Sequence, residues 1–343
     1  MKSYSNIPVF IPELACGHQC VFCNQQKISG QIDIPKPEDV DKIVQKYLST
    51  LPESCIVNIA FFGGSFTGID VNIQESYLAA AYKYLESGKV SGIRLSTRPD
   101  YISEKILDML KKYGVLAIEL GAQSASDAVL RKSGRGHTFS DIEKASKLIK
   151  TYNFELGLQM MIGLPGDTMQ TSINTAKELV RLGADTTRIY PTLIIKGTLL
   201  EKLYNERKYK PLELEKAVET AKEVYKIFIE NNVNVLRVGL HPSEELSYEN
   251  SLVAGPYHTS FKELVLTEIW SDIFGDKLKN FHSDKNFANI EIFVNSKQIN
   301  YAIGYKSSNK LKLLKVFKKV KFSVNNLLIG FESEITLNPQ VKG

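Results

Sequence analysis

The apolar run Ile7-Pro-Val-Phe-Ile11 leads into Cys16-Gly-His-Gln-Cys20-Val-Phe-Cys23, which holds three cysteines in eight residues. Three thiolates at this spacing can converge on one metal centre and leave one of its coordination positions open. The strand-like run before them and Gly30 after them place the cysteines in a loop. A strand that hands its chemistry to the following loop is the repeating unit of a parallel α/β sheet. The rest of the chain repeats that unit.

Further strand-like runs fall at residues 56–62, 92–97, 115–120, 155–163 and 187–195, the first covering 7–12. Amphipathic, helix-like stretches lie between them at 37–48, 73–86, 103–113, 140–152 and 169–182. This alternation predicts a parallel sheet covered by helices. Six repeats suit a (β/α) barrel, complete or partial, better than a short open sheet. Special residues gather at the ends of the runs: Gly63-Gly-Ser65, Thr97-Arg-Pro-Asp100, Gln123-Ser124 and Gly163-Leu-Pro-Gly166, with Tyr190-Pro191 inside the sixth. Any one of these can simply make a turn. Five at corresponding positions mark the C-terminal strand ends, where barrels of parallel strands build their sites.

A helix-like stretch at 212–231 and a strand-like one at 234–240 close the pattern. From about residue 250 the grammar changes. Helix-like 260–273 is followed by strand-like 290–294 and 300–304, a lysine-rich helix-like 309–319 and apolar 322–329. The expected organisation is α/β: a barrel over residues 1–245 and a small α+β module over 250–343.

Bulk properties narrow the class. A 343-residue chain with 43% hydrophobic and 24% charged residues reads as globular, and a barrel plus a smaller unit fits its length. No apolar run reaches the roughly 18 residues of a membrane span, and the N-terminus lacks a secretory apolar core, so a cytoplasmic protein is expected. Net charge is +5, too mild to imply a polyanionic partner alone, but Lys306, Lys310, Lys312, Lys315, Lys318, Lys319 and Lys321 are concentrated in one segment. Four cysteines do not make a disulfide scaffold. Cys55, opening an apolar run, reads as a buried free thiol.

Two chemistries compete at the cysteines. A structural zinc site needs four protein ligands, with His18 the available fourth and no second C-x-x-C pair in reach. A [4Fe–4S] cluster usually takes four cysteines. With Cys16, Cys20 and Cys23 as ligands its fourth iron stays open, suited to the amino and carboxylate groups of S-adenosylmethionine (SAM). The cluster is the favoured reading.

C-x-x-x-C-x-F-C, with Phe22 before the last ligand, resembles the signature of the radical SAM superfamily. The resemblance implies a partial (β/α)6 barrel, a [4Fe–4S] cluster at its top, and SAM cleavage to a 5′-deoxyadenosyl radical. Gly63-Gly64-Ser65 stands where the family has its Gly-Gly motif, although Ser65 occupies a position often held by glutamate. Ser96-Thr-Arg-Pro-Asp-Tyr101, Glu119-Leu-Gly-Ala-Gln-Ser124, Arg135-Gly-His-Thr138 and Arg188-Ile-Tyr-Pro-Thr-Leu-Ile-Ile-Lys-Gly-Thr198 resemble the radical SAM domain of the Elongator catalytic subunit, a tRNA wobble-uridine modifying enzyme. This second resemblance runs from about residue 7 to 245, roughly two-thirds of the chain. It departs in three respects. That subunit has a wider first cysteine spacing. No acetyl-CoA loop is legible after residue 250, so the acetyl transfer is not expected. Met161-Ile-Gly-Leu-Pro-Gly-Asp167 is closer to a broad radical SAM pattern that includes oxygen-independent coproporphyrinogen oxidases.

Strand-end placement and resemblance together imply roles. Gly63, Gly64 and Ser65 hold the SAM methionine, Gln123 and Ser124 its carboxylate or ribose, and Gly163 and Leu164 back the adenine. Arg98 and Arg188 are candidates for SAM carboxylate or substrate phosphate, or equally for structural ion pairs. Tyr190 and Lys196 face the substrate, and His137 either contacts it or orders its own turn. In the module, Gly304-Tyr-Lys-Ser307 before a lysine-bearing helix resembles a degenerate KH loop. The plain alternative is an ordinary helix with Leu311, Leu314 and Phe317 buried. The expected function is a radical SAM enzyme modifying a base in tRNA, supplied with electrons by a flavodoxin or ferredoxin. A small-molecule radical SAM oxidoreductase and a non-catalytic metal- and RNA-binding protein are the alternatives.

Overall fold

The computed structural model describes residues 4–11, 20–24, 27, 34–240, 246–279 and 287–339. Cys16, His18 and Gly30 lie outside the described residues. Strands β1 (Tyr4–Ile11), β2 (Ile56–Gly63), β3 (Gly92–Thr97), β4 (Val115–Gln123), β5 (Glu155–Ile162) and β6 (Thr186–Pro191) lie side by side in chain order, all parallel. The two-residue β7 (Ile194–Ile195) leaves the sheet, and β8 (Asn234–Val238) adds to β6 in parallel as a seventh strand. The crossovers carry α1 (Asp39–Leu48), α2 (Val71–Glu86), α3 (Glu104–Lys112), α4 (Asp127–Lys132), α5 (Phe139–Thr151), α6 (Met169–Arg181), α7 (Leu199–Asn205) and α8 (Leu214–Glu230). The sheet curls into a partial barrel with its helices outside, as expected, with one strand more than the six repeats.

Period-two alternation decides which residues meet the helices. In β5, Leu156, Leu158, Met160 and Ile162 are fully buried on the helix side, each side chain contributing roughly 1.5–3 kcal/mol. Glu155, Gln159 and Met161 point to the other face, into the concavity. Helix starts are fixed by side-chain caps on Asp70, Ser103, Ser126, Thr138, Thr168 and Thr198. Each satisfies a backbone N–H of the first turn and contributes about 1 kcal/mol. Most follow a sheet strand closely, so the turn from strand to helix is set locally and the strand-end loops are held short.

The sixth apolar run is broken where the sequence suggested continuity. After Pro191, the Thr192 N–H and hydroxyl both donate to the Ile162 carbonyl, at 3.0 and 2.8 Å, which turns the chain out of the sheet. β7 then pairs antiparallel with β9 (Leu252–Ala254). Helices α4 and α7 were not anticipated, being too short to show a period.

Helix α9 (Phe261–Leu278) belongs to two apolar clusters. Phe261, Val265, Leu266 and Ile269 join the barrel core, while Trp270, Phe274 and Leu278 join a second core with Ile290, Ile292, Val294, Leu313, Phe317 and Val320. Asp272 of α9 pairs with Lys226 of α8 at 2.6 Å and with Lys222 at 2.9 Å. The second core lies under a mixed sheet in which β10 (Phe287–Val294) runs parallel to β11 (Lys319–Val324) and antiparallel to β12 (Ser333–Pro339). Residues 300–304, read as a strand, fall largely in helix α10 (Ile299–Ile303), and 309–319 contains helix α11 (Ser308–Leu314) and the start of β11.

The buried stripe of α11 also differs from expectation. Leu311 and Leu314 are exposed, and Leu313 and Phe317 are buried. The phase is set by Asn309, whose amide donates to the carbonyls of Thr267 and Ala302 at 3.0 and 3.3 Å and so turns inward, taking Leu313 one turn later with it.

Candidate active site

Cys20 and Cys23 share one turn, closed by the Cys23 N–H donating to the Cys20 carbonyl at 3.0 Å. Two further backbone bonds fasten it: Val21 N–H to the Ser133 carbonyl at 3.1 Å and Leu200 N–H to the Val21 carbonyl at 2.7 Å. Cys20 is buried, and Cys23 half-buried. Cys55 precedes β2 and so stands at the opposite, N-terminal edge of the sheet.

Arg135 ties this turn to the sheet. Its Nη1 donates to the Cys20 Sγ at 3.2 Å and its Nη2 to the Gly121 carbonyl in β4 at 2.6 Å. At the end of β2, Gly63 has φ +111°, and a Cβ there would lie 2.8 Å from the Ile11 carbonyl oxygen. That carbonyl also accepts the Gly64 N–H at 2.8 Å. Glycine at 63 is therefore demanded by the close approach of β1 and β2. Ser65 is buried beside it, and Thr67 after β2 meets Thr97 at the end of β3 through a 2.6 Å hydroxyl contact.

After β3, Arg98 grips Asp100 with both ends of its fork, Nε to Oδ1 at 2.9 Å and Nη2 to Oδ2 at 2.8 Å. The His137 ring lies 4.0 Å from the same carboxylate and its side chain is fully buried. Burial first, then the Arg135 and Arg98 charges, push His137 down to about 4, with Asp100 and the Ala122 carbonyl opposing. The imidazole is neutral at physiological pH. Gln123, the last residue of β4, takes φ +67°, and Ser124 packs against Thr175. After β5, Gly163 donates its N–H to Asp167 at 2.8 Å and accepts the Tyr209 hydroxyl at 2.6 Å, with Leu164 buried next to it.

Below this rim the concave face carries a buried charge network. Arg188 holds Glu119 with Nε at 2.6 Å and Nη2 at 3.0 Å; Arg94 lies at 3.3 Å and Gln159 donates at 3.0 Å. Burial works against the Glu119 charge, but Arg188, Arg94 and Gln159 more than offset it and hold the carboxyl below its usual range. Tyr190 is one pleat above Arg188 on the same face, half-buried. Lys196 is exposed in the turn after β7; its backbone donates to the Ser251 carbonyl and accepts from the Lys27 ammonium at 3.0 Å.

The strand ends thus bring Gly63, Gly64, Ser65, Arg98, Gln123, Ser124, Gly163 and Leu164 to one edge together with Cys20 and Cys23. Arg188 and Tyr190 lie within the concavity, and Lys196 lies on the outlying arm. The sequence assigned no part to Glu119, Arg94, Gln159, Asp100 or Arg135. A signal for Glu119 existed, since it is the one charged residue in the largely apolar β4.

This rim suits an anionic iron–sulfur group with a polar ligand beside it. Two cysteines share one turn, one of them meets a guanidinium, and several buried polar atoms at the same edge have no hydrogen-bond partner among the described residues: Arg98 Nη1, Gln123 Oε1 and Arg135 Nε. Buried polar atoms left so are rare unless a ligand or water completes them.

Comparison with known proteins agrees with the geometry. The radical SAM superfamily model matches residues 11–179, and that of the radical SAM C-terminal domain matches 184–271. A tRNA uridine(34) acetyltransferase of Methanocaldococcus jannaschii is 31% identical over 183 residues, 48% of this chain and 34% of that protein. Elongator complex protein 3 of Saccharomyces cerevisiae is 33% identical over 161 residues, 46% of this chain and 28% of that protein. The chain therefore spans about a third of the length of these relatives. The solved structure of Methanocaldococcus infernus Elp3 superposes with a TM-score of 0.61 at 21% identity, covering 81% of this chain and 64% of that one, and so shares the fold. Members of the superfamily are enzymes that bind a [4Fe–4S] cluster and SAM. With its parallel partial barrel, its cysteine turn at the strand ends and both family domains in sequence, the chain belongs to the radical SAM superfamily.

Proposed function

We propose that this enzyme modifies a base in tRNA in the cytoplasm, with radical chemistry in the barrel (residues 1–245) and RNA contact in the C-terminal module (250–343). Cys16, Cys20 and Cys23 would hold the cluster. When bound, cluster and SAM supply a 5′-deoxyadenosyl radical after one electron arrives from a flavodoxin- or ferredoxin-type donor. The protein's own part is to bind and orient. Gly63, Gly64 and Ser65 would take the methionine end of SAM, Gln123 and Ser124 its carboxylate or ribose, and Gly163 and Leu164 the adenine. Arg98, whose buried Nη1 has no partner among the described residues, faces the same rim. Tyr190 stands deeper, where a base inserted into the concavity would reach. The Arg188 guanidinium is occupied by Glu119, so its part is to shape that floor, and Lys196 on its arm is placed for the substrate's outer parts.

The observation that carries the radical part is the Cys20–Cys23 turn locked to β4 through Arg135 at the strand ends. The tRNA part is supported by the relatives named above and by exposed Lys310, Lys315, Lys318 and Lys319 on the module. The decisive measurement is nucleoside mass spectrometry of tRNA from cells with and without the gene. A modified nucleoside lost with the gene is expected, and an unchanged profile would favour a small-molecule substrate. In vitro, tRNA retention should weaken with salt. Lys→Gln changes at the four lysines should flatten the slope by roughly one per lost phosphate contact.

A further inference from the structure

Arg135 locks the cysteine turn to β4, and it does so by donating directly to a cysteine sulfur. Its guanidinium is spread between two anchors 115 and 14 residues away in sequence, the Cys20 Sγ at 3.2 Å and the Gly121 carbonyl at 2.6 Å. The residue is buried, and its Nε has no partner among the described residues. Gly121 leaves room for it: a Cβ there would come within 3.1 Å of Nη2. A second positive group lies close by. Burial disfavours the Arg98 charge, but its paired Asp100 more than offsets that, with a weaker electrostatic contribution from Cys20. His137 adds no third charge, because burial and the two guanidinium groups hold it neutral. The sulfur of Cys20 therefore sits in a fixed, water-poor pocket facing one directed N–H donor.

We propose that Arg135 is a positioning residue that sets the reduction potential of the iron–sulfur cluster through its hydrogen bond to the Cys20 sulfur. Donors to a cluster's sulfurs and buried positive charge favour the reduced, more negative cluster and so raise its potential. A guanidinium fixed at its far end to the β4 backbone keeps that donor aimed without reorganisation. Lysine retains the charge but not the planar fork that spans sulfur and carbonyl.

The inference rests on Cys20 being a cluster ligand, and the test separates the two. Wild type, Arg135→Lys, Arg135→Gln and Arg135→Leu are reconstituted anaerobically, assayed for iron and sulfide, and titrated by potential-controlled electron paramagnetic resonance. Wild type that takes up no iron defeats the ligand assignment itself. With a loaded cluster, Arg135→Leu should show a lower midpoint potential, Arg135→Gln a smaller drop, and Arg135→Lys partial recovery. A tenfold change in the reduction equilibrium corresponds to about 59 mV for one electron. If Arg135→Leu fails to load, the Gln and Lys variants are read in its place. Loaded variants whose potentials match wild type, with only the thermal stability of iron-free protein lowered, would overturn the proposal and leave Arg135 a structural brace.

Discussion

Glu119 in the barrel is 1% exposed and meets two arginines and a glutamine, while Leu327 in the C-terminal module is 88% exposed in the turn leading to β12. The two regions invert the usual placement of residues in opposite ways. The barrel buries charge: Glu119, Arg94, Arg98 and Arg135 are all turned inward, beside a neutral buried His137. The module exposes hydrophobics, with Leu311, Leu314, Val316, Val324, Leu327 and Ile329 outside among its lysines. Each inversion costs free energy in the isolated fold, and the compensation differs. In the barrel it is internal for Glu119, Arg94, Arg98 and Arg188, each of which has an oppositely charged partner between 2.6 and 3.3 Å. In the module none of the described contacts covers the apolar side chains. Among the described residues the barrel thus compensates its inverted groups from within, and the module leaves them at its surface.

The largest expected effect tests whether the barrel's charges are mutually compensated. Glu119→Gln removes the carboxylate that Arg188 and Arg94 share and leaves the Arg188 guanidinium buried against an amide, while Arg94 keeps Glu155 at 3.1 Å. Breaking a buried ion pair from one side costs about 3–5 kcal/mol, so the denaturant midpoint should fall accordingly. A loss under 1 kcal/mol would mean that water already solvates the concave floor.

His137 gives the next effect, read as a pH dependence in iron-free protein. Its folded value of about 4 lies below the ordinary 6.5. Between these two values the unfolded chain binds a proton that the folded chain refuses. The stability contribution is therefore complete above about pH 6.5 and is lost as pH falls toward 4. At 1.36 kcal/mol per unit the total is about 3 kcal/mol. His137→Gln should flatten the stability curve within that window relative to wild type. Parallel curves for the two proteins would contradict the neutral, buried imidazole.

The smallest effect belongs to the module. Leu327→Ser and Ile329→Ser remove exposed side chains with no described packing, and stability should stay within about 0.5 kcal/mol of wild type. A clear loss of stability would show that these residues are packed after all and would erase the contrast between the two regions.

Much of this architecture was legible before folding. Period-two apolar runs and amphipathic stretches repeat often enough to define the parallel strands and their helices, because both signals are local and sum over many residues. The same holds for the strand-end motifs and the cysteine spacing. Short elements escaped. Helices α4 and α7, six and seven residues long, show too little of a period, and the break after Pro191 depends on a carbonyl in β5.

What the sequence determined by itself is the order of strands and helices, the edge of the sheet that carries the site, and the cysteines that crowd there. Only the tertiary structure decided the partners. Glu119 meets Arg188 across 69 residues and Arg135 meets Cys20 across 115. Asn309 reaches back 42 residues to Thr267 and so buries Leu313 in place of Leu311 and Leu314. The physical reason is one of range. Alternation fixes which face a residue takes, but tertiary packing brings distant residues within about 3.2 Å of each other. At that distance, burial and charge turn a polar side chain into a structural pair or a group aimed at a ligand.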